Sequence, residues 1–217
     1  MRAYFISGIA GDHRIFRKIR LPREVELVFL DQPPHLAGES LTKYASRIAS
    51  KIDRQSQFVL VGLSFGGILA TEIAREVHPR ATILIASVPV KAHLPPRYRS
   101  AVARKLYDKI PMEGYKLLSL IHGLIRLDQP EDKKIFRQMI RECDTEHIRW
   151  AMGAVLQWNN EDLPHPLFHI HGARDEVFPI AHTGPTHILP DAGHMLLLTH
   201  YREINRILAE ILLGLKE

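Results

Sequence analysis

Phe58-Val59-Leu60-Val61-Gly62-Leu63-Ser64-Phe65-Gly66-Gly67-Ile68-Leu69-Ala70-Thr71 is the stretch whose reading decides the fold. An apolar, β-branched run stops at Gly62, a serine stands between two glycines at two-residue spacing, and a helical pattern follows from Ile68 to Glu76. A strand that turns sharply into a helix at a serine needs very small residues two positions either side, because a Cβ there meets the flanking chain. Gly62 and Gly66 fill that need. The turn lifts the Ser64 hydroxyl above the sheet and sets the Phe65 N–H, at a helix N-terminus, where an oxyanion would form.

Outward from this turn, short β-branched or aromatic runs alternate with longer helical patterns, the rhythm of a parallel sheet. Strands are predicted over Tyr4–Ser7, Glu26–Leu30, Phe58–Val61, Ala81–Ala86 and Leu167–His171, with a short sixth over Thr186–Leu189. Helices are predicted over Leu41–Ile52, with Ser40 as its cap, over Gly66–Val77, and over Tyr201–Leu215, whose Ile204, Ile207, Leu208, Ile211 and Leu212 make one apolar stripe. Residues 91–164 break the rhythm. They hold helix-like patches, the most amphipathic over Tyr115–Ile125 and Glu146–Trp158, punctuated by Pro95, Pro96, Pro111 and Pro130. The expected organisation is a core of residues 1–90 and 165–217 with a helical cap of 91–164 inserted in it.

Composition narrows the class. At 217 residues, 46% hydrophobic and 24% charged, the chain fits one globular core and excludes disordered, collagen-like and coiled-coil proteins. The single Cys143 cannot form an intrachain disulfide, and no apolar run approaches the roughly 18 residues of a membrane span. Met1 to Gly11 lacks a long apolar stretch and reads as a strand, not a signal peptide, so a cytoplasmic protein is expected. The net charge of +5 is spread among apolar and acidic residues, as in 97–109, without zinc-finger, RRM or basic-zipper spacing, and no nucleic-acid partner is expected. Neither GxGxxG nor GxxxxGK[ST] spacing occurs, and the histidines make no HExxH or Cys/His set, so neither cofactor nor metal is expected.

A serine near neutral pH needs a base, and the base an orienting acid. Asp175 lies just past the fifth predicted strand and His194 just past the sixth, both at carboxyl ends, where open α/β sheets bind ligands. Asp162 and Asp191 are rival acids, and His171, His182, His187 and His200 rival bases. The stretch Ser87 to Ser100 carries no carboxylate.

Over most of its length the chain resembles the α/β-hydrolase superfamily. GLSFGG at 62–67 is similar to that family's nucleophile elbow, HGARDEVFP at 171–179 to its acid loop and DAGHM at 191–195 to its histidine loop. Asp31-Gln32-Pro33-Pro34-His35 resembles the loop after its second central strand. The resemblance implies an α/β fold: a doubly wound, mostly parallel sheet of about six strands, with a helical cap between the fourth and fifth. It also implies a second oxyanion donor after a His-Gly pair. Here that pair is Ser7-Gly8, which points to the Ile9 N–H. Three departures are expected: no leading hairpin of edge strands, a serine in place of the histidine, and only a short linker from Pro179 to Thr186 in place of a crossover helix.

The expected activity is hydrolysis of a small-molecule acyl ester or thioester by a Ser64, His194 and Asp175 triad. The alternatives are an acyltransferase, lyase or haloperoxidase-like enzyme, or a catalytically silent binding protein. Tyr98, Met112, Tyr115, Leu118, Ile121 and Trp158 are candidate lining for an apolar acyl pocket; packing of the cap on the sheet explains the same residues. Trp150 and Trp158 read as core anchors, and Cys143 as a plain thiol.

Overall fold

A computed structural model describes residues 1–215, the Asp108 side chain excepted; Lys216 and Glu217, the last two residues of the expected core, lie outside the described residues. The strands are β1 (Arg2–Ile6), β2 (Glu26–Phe29), β3 (Phe58–Leu63), β4 (Ala81–Ile85), β5 (Leu167–Gly172) and β6 (His187–Leu189). Among the described residues they form one sheet in the order β2-β1-β3-β4-β5-β6, every neighbouring pair parallel. All residues of β3 and β4 are buried. This is why they read as unbroken apolar runs without alternation: both faces of the sheet are covered.

Alternate side chains feed two cores. Ala3, Phe5, Val59, Val61, Ile83 and Ile85 pack on one side with Ile204, Ile207, Leu208, Ile211 and Leu212 of the terminal helix α9 (Tyr201–Gly214). Tyr4, Ile6, Leu60 and Leu84 face α1 (Leu41–Ala49) and α2 (Phe65–Val77) on the other. The Ser40 hydroxyl caps α1 by accepting from the Lys43 N–H. A short helix α8 (Leu196–Thr199) precedes α9.

Between β4 and β5 lie α3 (Pro96–Arg99), α4 (Ala101–Leu106), α5 (Met112–Arg126), α6 (Pro130–Glu142) and α7 (Thr145–Gln157). The helix predicted from Tyr115 starts three residues earlier because Pro111, at its N-cap, sets the entry and needs no N–H partner. Polar pins join the insertion to the core. Trp150 Nε1 donates to the Glu39 carbonyl at 2.9 Å, and Trp158 Nε1 to Glu72 Oε1 at 2.8 Å. The buried Asp132 carboxylate is held by Arg17 and Lys18, both at 2.6 Å. Leaving such a buried carboxylate without a cation costs about 4 kcal/mol, whereas the intact pairing adds little net stability, so these contacts fix position more than they stabilise.

Candidate active site

The strand-to-helix turn positions Ser64 at a sparsely populated backbone conformation, φ +53° and ψ −120°. Its strain is held from several sides. The Ser64 N–H donates to the Ile85 carbonyl at 2.9 Å, while the Ser64 carbonyl accepts from Gly67 N–H at 2.9 Å and from Ser87 Oγ at 2.6 Å. A Cβ at position 62 would stand 2.3 Å from the Gly66 carbonyl oxygen, and one at position 66 would stand 2.2 Å from the Ile6 carbonyl oxygen. Both glycines are sterically required. The Ser87 brace is absent from the sequence reading, and nothing local to Ser87 signals it, since its partner lies on another strand.

His194 Nε2 is 3.0 Å from Ser64 Oγ, and His194 Nδ1 is 2.8 Å from Asp175 Oδ2. With Nδ1–H donating to the carboxylate, the Nε2 lone pair is left to accept from the serine hydroxyl. Asp175 is anchored in turn: its Oδ1 accepts from the Val177 and Phe178 N–H groups at 2.8 and 2.9 Å. Burial of Asp175 favours the neutral acid, yet the hydrogen bond and charge of His194 and the Phe178 amide together hold its pKa below the ordinary carboxylate value. The structure therefore brings the three side chains singled out in the sequence into one hydrogen-bonded chain.

The rivals stand elsewhere. Asp162 pairs with Arg75 at 3.2 Å and Asp191 with Arg174 at 2.5 Å, both exposed. His187 and His200 bond to Thr186 and Thr199, and His182 ends a short turn over Ile180–His182 in the linker before β6. His171 is fully buried behind the acid loop. Its Nε2 donates to the Phe178 carbonyl at 2.8 Å and lies 3.6 Å from Asp175 Oδ2, while its Nδ1 is 3.1 Å from His169 Nε2. Burial depresses both pKa values, that of His169 to about 3, so the pair is neutral near pH 7. This neutral bracket of the acid loop was not anticipated from sequence.

Ser64 and His194 open into a cavity of about 490 Å³. Ile9 and Phe65 flank the serine, and Leu63, Ile68, Val155, Met152, Met195 and Leu198 make much of the wall. Tyr98 and Tyr115 line it as expected from sequence, whereas Met112, Leu118, Ile121 and Trp158 are not among the lining residues. The correction has a simple cause. Helix α5 turns Tyr115, Ser119, His122 and Gly123 inward, spaced by four, three and one residues, and Leu118 and Ile121 outward, leaving Leu118 69% exposed. Met112 is buried away from the cavity, and Trp158 is spent on its bond to Glu72. At the acid loop, Arg126 and His122 of α5 reach the Glu176 carboxylate at 2.6 and 3.2 Å. Arg97 of α3 donates to the Glu176 and Val177 carbonyls at 2.7 and 2.8 Å.

Burial pushes the Cys143 thiol pKa up, which leaves it a poor nucleophile. Among the described residues no group of three or more His, Cys, Asp or Glu side chains is placed to hold a metal ion, and no helix is long and apolar enough to cross a membrane.

The model of the "Alpha/beta hydrolase family" matches residues 4–207. Among solved structures, an esterase from Exiguobacterium antarcticum is similar at 15% identity and TM-score 0.79, covering 100% of this chain and 92% of its own. A thermophilic esterase from Thermogutta terrifontis is similar at 18% identity and TM-score 0.75, covering 99% and 90%. A putative non-heme bromoperoxidase from Mycobacterium tuberculosis H37Rv is similar at 16% identity and TM-score 0.74, covering 100% and 93%. No curated protein matches the chain.

Proposed function

Because the chain belongs to the alpha/beta hydrolase family, we propose that it is a serine hydrolase cleaving a carboxylic ester or thioester with an apolar acyl group. The observation that carries this reading is the unbroken chain from Asp175 through His194 to Ser64 Oγ, at 2.8 and 3.0 Å, opening into a largely apolar cavity. Ser64 Oγ attacks the acyl carbon as His194 Nε2 takes its proton. Asp175 keeps the imidazole in the required tautomer and stabilises the imidazolium. The oxyanion is held by the Phe65 N–H, first in α2, and the Ile9 N–H, each worth about 3 kcal/mol of barrier. His194 then returns the proton to the departing alcohol or thiol, leaving an acyl-serine. Water, giving a proton to His194, attacks that ester and releases the acid, and Ser64 regains its hydrogen.

Helices α3 to α7, in residues 91–164, act as a cap that chooses the acyl group, since Tyr98, Tyr115, Met152 and Val155 all line the cavity. Small-molecule substrates fit a site of this volume. The test is a panel of acetate, butyrate, octanoate and palmitate esters and the matching thioesters, with Ser64→Ala as control. Turnover that rises from acetate to octanoate and vanishes in Ser64→Ala is expected. Turnover unaffected by Ser64→Ala would overturn the reading, and ligand binding without turnover would favour a silent binding protein.

A further inference from the structure

The chain has Ser7 where a histidine is expected before Gly8, so the turn that presents the Ile9 N–H must be supported by other groups. The backbone does this in part. Gly11 N–H donates to the Gly8 carbonyl at 3.1 Å, closing a four-residue turn over 8–11, and Ala10 sits at φ +59°. A positive φ at the third position belongs to a type II turn, and an alanine is strained there, so its surroundings must fix it. The turn's closing bond leaves the Ile9 N–H unused, and among the described residues no carbonyl or side chain accepts it.

Ser7 and Gln32 supply the fixing. Ser7 is buried, and its hydroxyl donates to the Gly11 carbonyl at 2.7 Å, across the far end of the turn. Gln32, from the loop after β2, donates through Nε2 to the Ser7 carbonyl at 2.7 Å and to Ser7 Oγ at 3.2 Å. One amide thus holds the peptide entering the turn and also occupies a lone pair of the serine hydroxyl, whose single hydrogen goes to the Gly11 carbonyl. The turn lies directly on the nucleophile: a Cβ at Gly8 would stand 3.2 Å from Ser64 Cβ. A small rotation of this turn would therefore move the Ile9 N–H relative to the acyl oxygen.

We infer that Ser7 and Gln32 are positioning residues that hold the turn over 8–11 so that the Ile9 N–H faces the developing oxyanion. The inference rests on the serine-hydrolase reading above. It concerns charge that develops only in the transition state, so it bears on kcat and not on ground-state binding. Neither side chain reaches the cavity that holds Ser64. Both border a separate cavity of about 230 Å³ on the outer side of the turn, which gives a replacement side chain room.

The experiment measures Ser7→Ala, Gln32→Leu and the double variant on p-nitrophenyl butyrate, with thermal melting and with the affinity of an alkyl boronic acid, whose tetrahedral serine adduct presents an oxygen to the same donors. Each single variant is expected to lose about ten- to a hundredfold in kcat, less than the loss of a whole donor, with KM within about twofold. Boronate affinity should fall by the same factor as kcat, and the double variant should be no worse than the poorer single one, because both act on one turn. Unchanged kcat and boronate affinity, with Ser64→Ala inactive, overturns the inference while leaving the hydrolase reading in place. Losses that follow melting temperature, or that appear in KM alone, also overturn it by showing a merely structural part. Full activity in Ser64→Ala overturns the hydrolase reading, and the inference with it.

Discussion

The sheet and the helices inserted between β4 and β5 are built on different terms. In β3 and β4 every residue is buried. Helix α5 in the insertion leaves Leu117, Leu118, Ile121 and Ile125 exposed, the last by 76%. The groups proposed for chemistry sit on loops at the carboxyl ends of β3, β5 and β6 that are tied by hydrogen bonds to the backbone: Ser64 N–H to the Ile85 carbonyl, Asp175 Oδ1 from the Val177 and Phe178 N–H groups, and Ala192 N–H to the Leu189 carbonyl just before His194. The insertion joins the two apolar cores through a limited set of buried residues, among them Leu127, Met139, Ala151 and Trp158, is pinned by polar contacts, and lines much of the cavity. On the proposed reading, precise geometry rests on the sheet as the rigid part and substrate choice on the insertion as the adaptable part, a division that would let one change without spoiling the other.

That division can be broken first at the rigid end. Asp175→Asn keeps the shape but lets His194 adopt the wrong tautomer, and a fall of about 10⁴-fold in kcat is expected from steady-state kinetics, with KM little changed. Gly66→Ala, which forces a Cβ to 2.2 Å from the Ile6 carbonyl, is expected to cost about 3–5 kcal/mol in urea denaturation. A Gly66→Ala protein as stable as the parent would show the elbow to be looser than described.

At the adaptable end, Val155→Trp, filling the cavity from α7, should lower the octanoate-to-acetate ratio of kcat/KM by about tenfold while acetate turnover stays within about threefold. An equal loss on both esters would mean that the insertion shapes the reacting centre itself. The buried histidines behind the acid loop give a pH signature. The unfolded chain protonates His169 below pH about 6.5, whereas the folded one resists until about 3, so the unfolded state binds more protons in that window. Stability should therefore fall with pH from about 6.5 downwards, by at most about 1.4 kcal/mol per unit for this group. Denaturation curves of His169→Phe should show a shallower fall. The smallest effect is expected at Leu118→Gln: within about 0.5 kcal/mol in stability and unchanged KM, since the side chain points to solvent.

The two regions also differ in how well the sequence announced them. The elbow was legible because its requirements are local: two glycines and a serine between a strand and a helix. Asp175 and His194 followed from their places after β5 and β6. Helix α5 was legible as a helix but not in its facing. Leu117, Leu118, Leu120, Ile121, Leu124 and Ile125 put apolar groups around much of its circumference, so periodicity did not say that Tyr115, Ser119 and His122 turn inward. The Ser7–Gln32 brace and the His169–His171 pair were hidden for another reason. Each depends on polar side chains whose partners are set by packing of separate loops and strands, and no spacing rule marks them.

Covalent labelling with a fluorophosphonate, read by intact mass and peptide mapping, tests most directly whether Ser64 is the activated nucleophile. One adduct per chain on Ser64, slowed by orders of magnitude in His194→Ala and lost in Ser64→Ala, is the predicted result. Full labelling of Ser64→Ala, or labelling of the parent protein at another residue alone, would contradict it.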